Sequence, residues 1–314
     1  MPTLSDDRIL QRLTGSLTEL NRHRPLKPAI LKKLREQFTI EMTYHSNAIE
    51  GNRLTLKETL LVLREGITIK GRNFQEHLEA KNHEEAMDFL FEVVDSKKRL
   101  TLSHHLIRQL HQLVVKDTEA RTAGIYRNTD VQILGSKHRP PAGHQVQAQM
   151  TKFIEWLSKS EKNYHPVEFA ALVHHRFVAI HPFEDGNGRT GRLLMNLLLM
   201  RKGFPIAIIQ KNDRAKYYRA LDGADRGHEE AIVRIVAQAV ERTLSIYLKT
   251  IMKSTSRTEM ILLSALAQKT EFSAKYLNLL ARKGLLQAQK EGRNWLSSLK
   301  AVSDYKKYRL RKRS

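Results

Sequence analysis

Cysteine is absent from all 314 residues, which removes disulfides, thiolate nucleophiles and cysteine metal sites at a stroke. Long apolar runs are missing too. The strongest, LLMNLLLM at 193–200, falls far short of the roughly 20 residues that span a bilayer. The start, MPTLSDDRIL, lacks a basic stretch followed by an apolar one, so neither a signal peptide nor membrane association is expected. Cytoplasm is the expected compartment. Low-complexity linkers, internal repeats and βαβ alternation are also lacking, which argues against solenoids and doubly wound sheets.

Acidic residues are scarce relative to basic ones. There are 33 Asp and Glu against 54 Lys and Arg, a formal charge of +21. The imbalance is uneven: residues 251–314 hold 15 Lys or Arg and 4 Asp or Glu. Such a basic tail points to an acidic partner, nucleic acid first among them. The 41% apolar content is that of a globular protein with a sizeable core.

What is present reads mostly as helix. Ile30, Leu34, Phe38 and Met42 recur at helical spacing from Pro28 toward Glu50, and Gly51 offers a stop. Thr55 and Glu58 form a capping box for the next helix. Further helices are expected over 75–95, 103–116, 145–159, 167–180, 188–202, 214–223 and 229–252. One segment breaks the pattern: Val131-Gln132-Ile133-Leu134, a Gly135-Ser136 turn, and a run ending in Pro140-Pro141. It predicts a short β-hairpin whose unpaired edge could receive an extended peptide.

The richest chemistry lies in IHPFEDGNGRTGRL, residues 180–193. Its G-x-G-x-x-G would suit a dinucleotide fold only after a β-strand, whereas EFAALVHHRFVAI upstream carries a helical stripe. The alternative is a glycine-rich loop feeding a helix N-terminus, which is an anion nest. Arg189 and Arg192 near that N-terminus oppose the helix dipole, and a bound polyphosphate would account for them. Asp185 supplies a hard oxygen suited to Mg2+ beside phosphates. His181 is a candidate general base.

HPFEDGNGRTGR resembles the Fic family signature, H-P-F-x-(D/E)-G-N-G-R-x-x-R, at every defined position from His181 to Arg192. The resemblance runs over roughly residues 30–250 and includes Gly124-Ile125-Tyr126-Arg127 and Tyr217-Tyr218. It implies a mainly α fold with a short β-hairpin flap, and transfer of AMP from ATP to a Ser, Thr or Tyr hydroxyl of a protein (AMPylation). By this resemblance His181 deprotonates the hydroxyl and Asp185 holds Mg2+. Gly186, Asn187 and Gly188 form the α-phosphate hole, and Arg189 and Arg192 orient the outer phosphates. The flap at 131–140, with Val131, Gln132, Ile133 and Leu134, would hold the target, a protein with a Ser, Thr or Tyr hydroxyl, the chain itself among the candidates. A homodimer is a further expectation from such relatives.

Upstream, SNAIEG at 46–51 resembles the family's inhibitory-helix motif, (S/T)-x-x-x-E-(G/N). Ser46 and Glu50 are four apart and share a helix face. The resemblance implies that Glu50 pairs with Arg192 and denies it to the γ-phosphate, restraining the enzyme in cis. In some such relatives the glutamate instead positions a water that removes AMP, which leaves a deadenylylating hydrolase as the alternative.

Beyond Arg257 the pattern changes. Helices are expected at 257–268 and from Ser273 to Lys283, followed by a basic hairpin at Lys290–Trp295. This resembles a winged helix-turn-helix, with DNA contact through the second helix and the Lys290/Arg293 wing. Such folds also serve as protein-interaction modules, and a chain acting chiefly as a DNA-binding regulator is a further alternative. The expected division is 1–110 (helical region with the inhibitory helix), 111–252 (catalytic core) and 255–314 (winged-helix domain).

Overall fold

The computed structural model describes residues 7–96, 102–133, 136–258 and 260–311, and divides into two compact units, Met1–Tyr247 and Leu248–Ser314. In the larger unit the chain forms α1 (Asp7–Arg22), α2 (Pro28–Ile49), α3 (Leu56–Glu65), α4 (Phe74–Asp95) and α5 (His104–Val115). After a long irregular stretch come α6 (Val146–Ser160), α7 (Pro166–Ile180), α8 (Asn187–Arg201), α9 (Arg214–Ala224) and α10 (Glu230–Thr258), the last crossing into the smaller unit. The fold is mainly α, as expected.

Local chemistry explains most boundaries. Proline occupies the first turn of α2 and of α7, where its missing N–H costs nothing. Thr55 and Asn73 cap α3 and α4 with reciprocal boxes to Glu58 and Glu76. The Ser103 hydroxyl accepts from the Leu106 N–H to start α5.

Helix α8 lies at the centre. Its run from Leu193 to Leu199 is buried on all sides, the mark of a helix enclosed by others. Leu193 and Leu197 meet Leu34, Phe38 and Met42 of α2, Met87 and Leu90 of α4, and Leu110 and Val114 of α5. Packing against this axle holds the last turns of α2 beside the first turn of α8, which brings residues 46–50 and 187–192 together.

Three expectations need correction. Helix α1 had no counterpart in the sequence reading. The segment 131–140 is no paired hairpin: its described residues carry no strand, only a turn in which Ser136 N–H donates to Ile133 O at 3.1 Å. Side chains fasten it instead. Ser136 Oγ donates to Asp222 Oδ1 at 3.0 Å and His138 Nε2 to the Ala179 carbonyl at 2.8 Å, while Pro140 and Pro141 bring no donors to a ladder. Leu134 lies outside the described residues. Lastly, the single helix expected over 257–268 is replaced by the end of α10, the strand β1 (Ile261–Leu262) and the short α11 (Leu263–Ala267). Pairing of Ile261 and Leu262 with a distant strand overrides local helix preference there.

The smaller unit continues with α12 (Ala274–Arg282), β2 (Ala288–Glu291), β3 (Asn294–Ser297) and α13 (Leu299–Arg311). Ser273 caps α12. The antiparallel sheet has the order β1-β3-β2, with Gly292 at positive φ (59°) in the two-residue β2–β3 turn. Leu263, Leu266, Leu277, Leu280, Leu286 and Val302 form its own core. Among the described residues no helix is long and apolar enough to cross a membrane.

Candidate active site

The site forms where α7 gives way to α8. His181, the residue that ends α7, adopts the left-handed conformation (φ 51°, ψ 59°), and no other described non-glycine residue has positive φ. A β-carbon makes that conformation cost about 1–3 kcal/mol, so surrounding bonds must hold it. Buried Arg127 supplies them. Its Nε donates to the His181 carbonyl at 2.7 Å, Nη1 to Thr129 O at 2.7 Å, and Nη2 to Pro141 O at 2.8 Å and Ile180 O at 3.3 Å. Its main-chain N–H donates to Pro182 O at 2.9 Å. One guanidinium thereby ties both ends of the 131–140 segment to the α7–α8 loop.

The His181 ring follows from this placement. Nδ1 lies 3.3 Å from the Val178 carbonyl, and a carbonyl only accepts, so Nδ1 carries the proton and Nε2 keeps its lone pair. Burial lowers the His181 pKa, partly offset by the Val178 bond. The ring is therefore neutral, and basic at Nε2, at neutral pH.

The loop is shaped by three further residues. Phe183 stacks flat on His111, centroids 3.6 Å apart. His111 Nδ1 accepts from Gly124 N–H at 2.9 Å, which leaves Nε2 to donate to the Asp185 carbonyl at 3.0 Å. Burial takes the His111 pKa down to about 4, keeping that tautomer in place. Both polar atoms of the Asn187 side chain go to the Phe183 backbone, at 2.9 and 2.8 Å, so what Asn187 can offer an anion is its main-chain N–H. Gly186 turns the chain at φ 74°, where a β-carbon would meet Val115 Cγ1 at 2.8 Å. Thr190 N–H is the first to close the helix, onto Gly186 O at 2.9 Å. The amides of Asn187, Gly188 and Arg189, the first three of the helix, thus lack helical partners.

Two buried guanidinium groups flank those amides. Arg189 Nη2 donates to Asp185 Oδ2 at 2.9 Å, and Nη1 stands 3.6 Å from Glu79 Oε1, too far to hydrogen-bond. Arg189 Nε and Nη1 and Arg192 Nη1 are buried donors without hydrogen-bond partners. Buried cationic donors next to the start of a helix suit an anionic ligand.

The remaining donors of Arg192 go to α2. Nε donates to Ser46 Oγ at 2.9 Å and Nη2 to Ser46 O at 2.8 Å. The same Nη2 stands 2.8 Å from Glu50 Oε1. The contact is single rather than forked: Nη2 is shared between Glu50 and the Ser46 carbonyl, and Nη1 makes no hydrogen bond. Burial opposes the Arg192 charge, but Glu50 and Tyr217 outweigh it and raise its pKa. The Glu50 carboxylate also covers the helix start: a β-carbon on Gly188 would collide with Oε1. A side chain at position 188 would have to push the Glu50 carboxylate aside.

A cavity of about 560 Å³ opens over this loop, lined by Glu50, Gln132, Ile133, His181, Asp185 and Gly188 among others. The expected residues Ser46, Glu50, His181, Asp185, Gly186, Asn187, Gly188, Arg189 and Arg192 are thus brought together. Gln132 and Ile133 face the same cavity, while half-buried Val131 does not line it. The sequence reading missed the bracing roles of Arg127 and His111, although Arg127 stands in the quoted Gly124–Arg127 stretch. Among the described residues no three His, Cys, Asp or Glu side chains are grouped to hold a metal ion. Asp185, its side chain 56% exposed at the cavity, fits an ion held mainly by ligand oxygens.

Comparison with known proteins identifies the family. A model of the Fic/DOC family matches residues 101–199. The protein adenylyltransferase Fic of Nematostella vectensis is 40% identical over 225 residues, covering 71% of this chain and 51% of that protein. The solved structure of Fic-1 (aa134–508) from C. elegans is 32% identical with a TM-score of 0.72, covering 80% of this chain and 73% of that one. A Fic domain containing signaling protein from Bacteroides thetaiotaomicron superposes with a TM-score of 0.70 at 29% identity, covering 78% of this chain and 97% of its own. The fold is a mainly helical domain, and the chain belongs to the Fic/DOC family. It spans about half the length of the curated relatives it matches.

Proposed function

We propose that the chain is an ATP-dependent protein adenylyltransferase restrained by its own Glu50. The observation that carries this reading is one cavity lined by His181, Asp185 and Gly188, at a helix start whose next turns hold the buried, unpartnered donors of Arg189 and Arg192. A target hydroxyl gives its proton to His181 Nε2 as its oxygen attacks the α-phosphorus. The bond from that phosphorus to the β-bridging oxygen breaks, and pyrophosphate leaves. The amides and Arg189 neutralise the phosphate oxygens, as this kind of transfer requires. Asp185 would hold Mg2+, whose charge would offset that of the phosphates. The segment carrying Gln132 and Ile133, which lines the cavity, presents the target, a protein with a Ser, Thr or Tyr hydroxyl.

The restraint rests on one competition. While Glu50 holds Arg192 and covers Gly188, the outer phosphates lack their cation and their space. Incubation with α-labelled ATP and Mg2+ tests both parts: Glu50→Gly labels itself or a target faster than the unsubstituted chain, and His181→Ala abolishes the label. Equal labelling with and without His181 refutes the enzyme reading. AMP release from a modified protein, lost in Glu50→Gly, would mark the hydrolase instead.

For the smaller unit we propose duplex DNA as the partner. Lys275, Asn278 and Arg282 lie on the outward side of α12, away from buried Leu277, Leu280 and Ala281, and Lys290 and Arg293 stand exposed on the β2–β3 hairpin. That is a basic helix beside a basic wing, the arrangement a winged helix uses. Salt-sensitive duplex binding, weakened by Lys275→Glu with Arg282→Glu, supports the reading. Unchanged binding in that double variant rejects it.

A further inference from the structure

The end of α2 is fastened by residues outside the signature. Ile49 is the last helical residue, so its carbonyl is one of the four that the helix leaves without a partner. Two side chains of α9 converge on it: Arg214 Nε donates at 2.7 Å and the Tyr218 hydroxyl at 3.2 Å. The Arg214 guanidinium lies over the Tyr218 ring, 5.1 Å from its centroid, so the donors brace each other. Just before α9, Lys211 N–H donates to His45 Nδ1 at 3.0 Å, one turn earlier on α2. The start of α9 therefore grips the last two turns of α2 through three bonds.

The grip bears directly on Glu50. The Ile49 carbonyl and the Glu50 N–H belong to one rigid peptide plane. That N–H donates to Asn47 O at 3.0 Å, so the plane is held from both sides. On the far side of Gly51, Asn52 Nδ2 is fixed to the Glu76 carbonyl at 3.0 Å and to Glu79 Oε2 at 2.7 Å. Glu50 hangs between these anchors with its carboxylate on Arg192. A cationic donor on a terminal carbonyl also suits the negative end of the helix dipole.

We infer that Arg214, supported by Tyr218, is a positioning residue for Glu50: it fixes the Ile49–Glu50 peptide plane and so holds the carboxylate over Gly188 and Arg192. The inference rests on the restraint proposed above and extends it. The strength of the restraint is set by α9 as well as by Glu50 itself. Arg214 and Tyr218 also line the cavity, so the Glu50→Gly background is what separates an effect through Glu50 from a direct one on the ligand.

The test uses the full chain, with Arg214→Ala and Arg214→Lys each made with Glu50 present and in the Glu50→Gly background. Hydrogen exchange without nucleotide reads the latch itself. In Arg214→Ala the amides of Glu50, Gly51 and Asn52 exchange about three- to tenfold faster, the range expected for losing one charged donor at a helix end. Arg214→Lys, which keeps a cationic donor, recovers part of the protection. In the transfer assay with Mg-ATP, Arg214→Ala raises the rate by a similar factor when Glu50 is present and changes it less than about twofold when Glu50 is glycine. Unchanged exchange at those amides overturns the inference, as does an equal rate change in both backgrounds. If Glu50→Gly itself gives no faster transfer, the proposed restraint fails, and the exchange measurement alone still decides whether Arg214 positions Glu50.

Discussion

Replacing Arg127 by alanine removes four side-chain hydrogen bonds at once, to the carbonyls of His181, Thr129, Pro141 and Ile180. Each bond from a charged donor contributes about 1.5–3 kcal/mol. Loop carbonyls regain water once the side chain is gone, so the full sum is not lost. We expect a loss of about 3 kcal/mol, which in a unit of this size lowers Tm by about 6–12 °C. Function falls further than stability, because the left-handed His181 relaxes when its carbonyl is released. A shift of the base by about 1 Å costs on the order of a hundredfold in rate. Arg127→Lys keeps the charge but cannot span four acceptors, so it restores less than half of the stability. Thermal unfolding by circular dichroism and AMP transfer at a temperature well below either Tm read the two effects separately. An alanine variant whose Tm stays within about 2 °C, with transfer within twofold, refutes the bracing role.

Further outcomes follow from the same geometry. The neutral His111 accepts from Gly124 N–H and its pKa is lowered to about 4, so the unfolded chain takes up the proton first. Its contribution is therefore whole above about pH 6.5 and is lost as pH falls from there toward 4, by at most about 3 kcal/mol. Urea midpoints read across that window decline less steeply in His111→Gln, and equal slopes would contradict this. Gly186→Ala places a β-carbon against Val115 at a left-handed position and costs about 1–3 kcal/mol, with weaker nucleotide binding by calorimetry. Unaltered stability and binding would show that the loop tolerates a different turn.

Much of the site was legible because its residues are close in sequence. Twelve consecutive positions carry the base, the carboxylate, the glycines and both arginines, and a helix with i, i+4 spacing carries Ser46 and Glu50. Helix boundaries were legible where caps are local, as at Thr55, Asn73 and Ser273. What the sequence hid depends on long-range partners. Arg127 reads as one more base in a basic chain until its carbonyl acceptors, up to 54 residues away, are in place. Ile261 and Leu262 read as helix because their strand partners lie some 35 residues downstream. The 131–140 segment has a hairpin's pattern, yet Asp222 and Ala179 hold it through side chains rather than through a ladder. Helix α1 had a signal that was passed over: Ile9, Leu13 and Leu20 are buried at helical intervals, diluted by Thr14, Gly15 and Ser16, which are poor helix formers.

The claim at the centre is that Glu50, by holding Arg192, restrains AMP transfer that depends on His181. Mass spectrometry of intact protein after Mg-ATP treatment tests it most directly, on the unsubstituted chain, Glu50→Gly, and Glu50→Gly with His181→Ala. The account predicts a mass gain of one AMP or more that is largest in Glu50→Gly and absent from the double variant. A gain of equal size in all three, or none in Glu50→Gly while the protein remains folded, would contradict it.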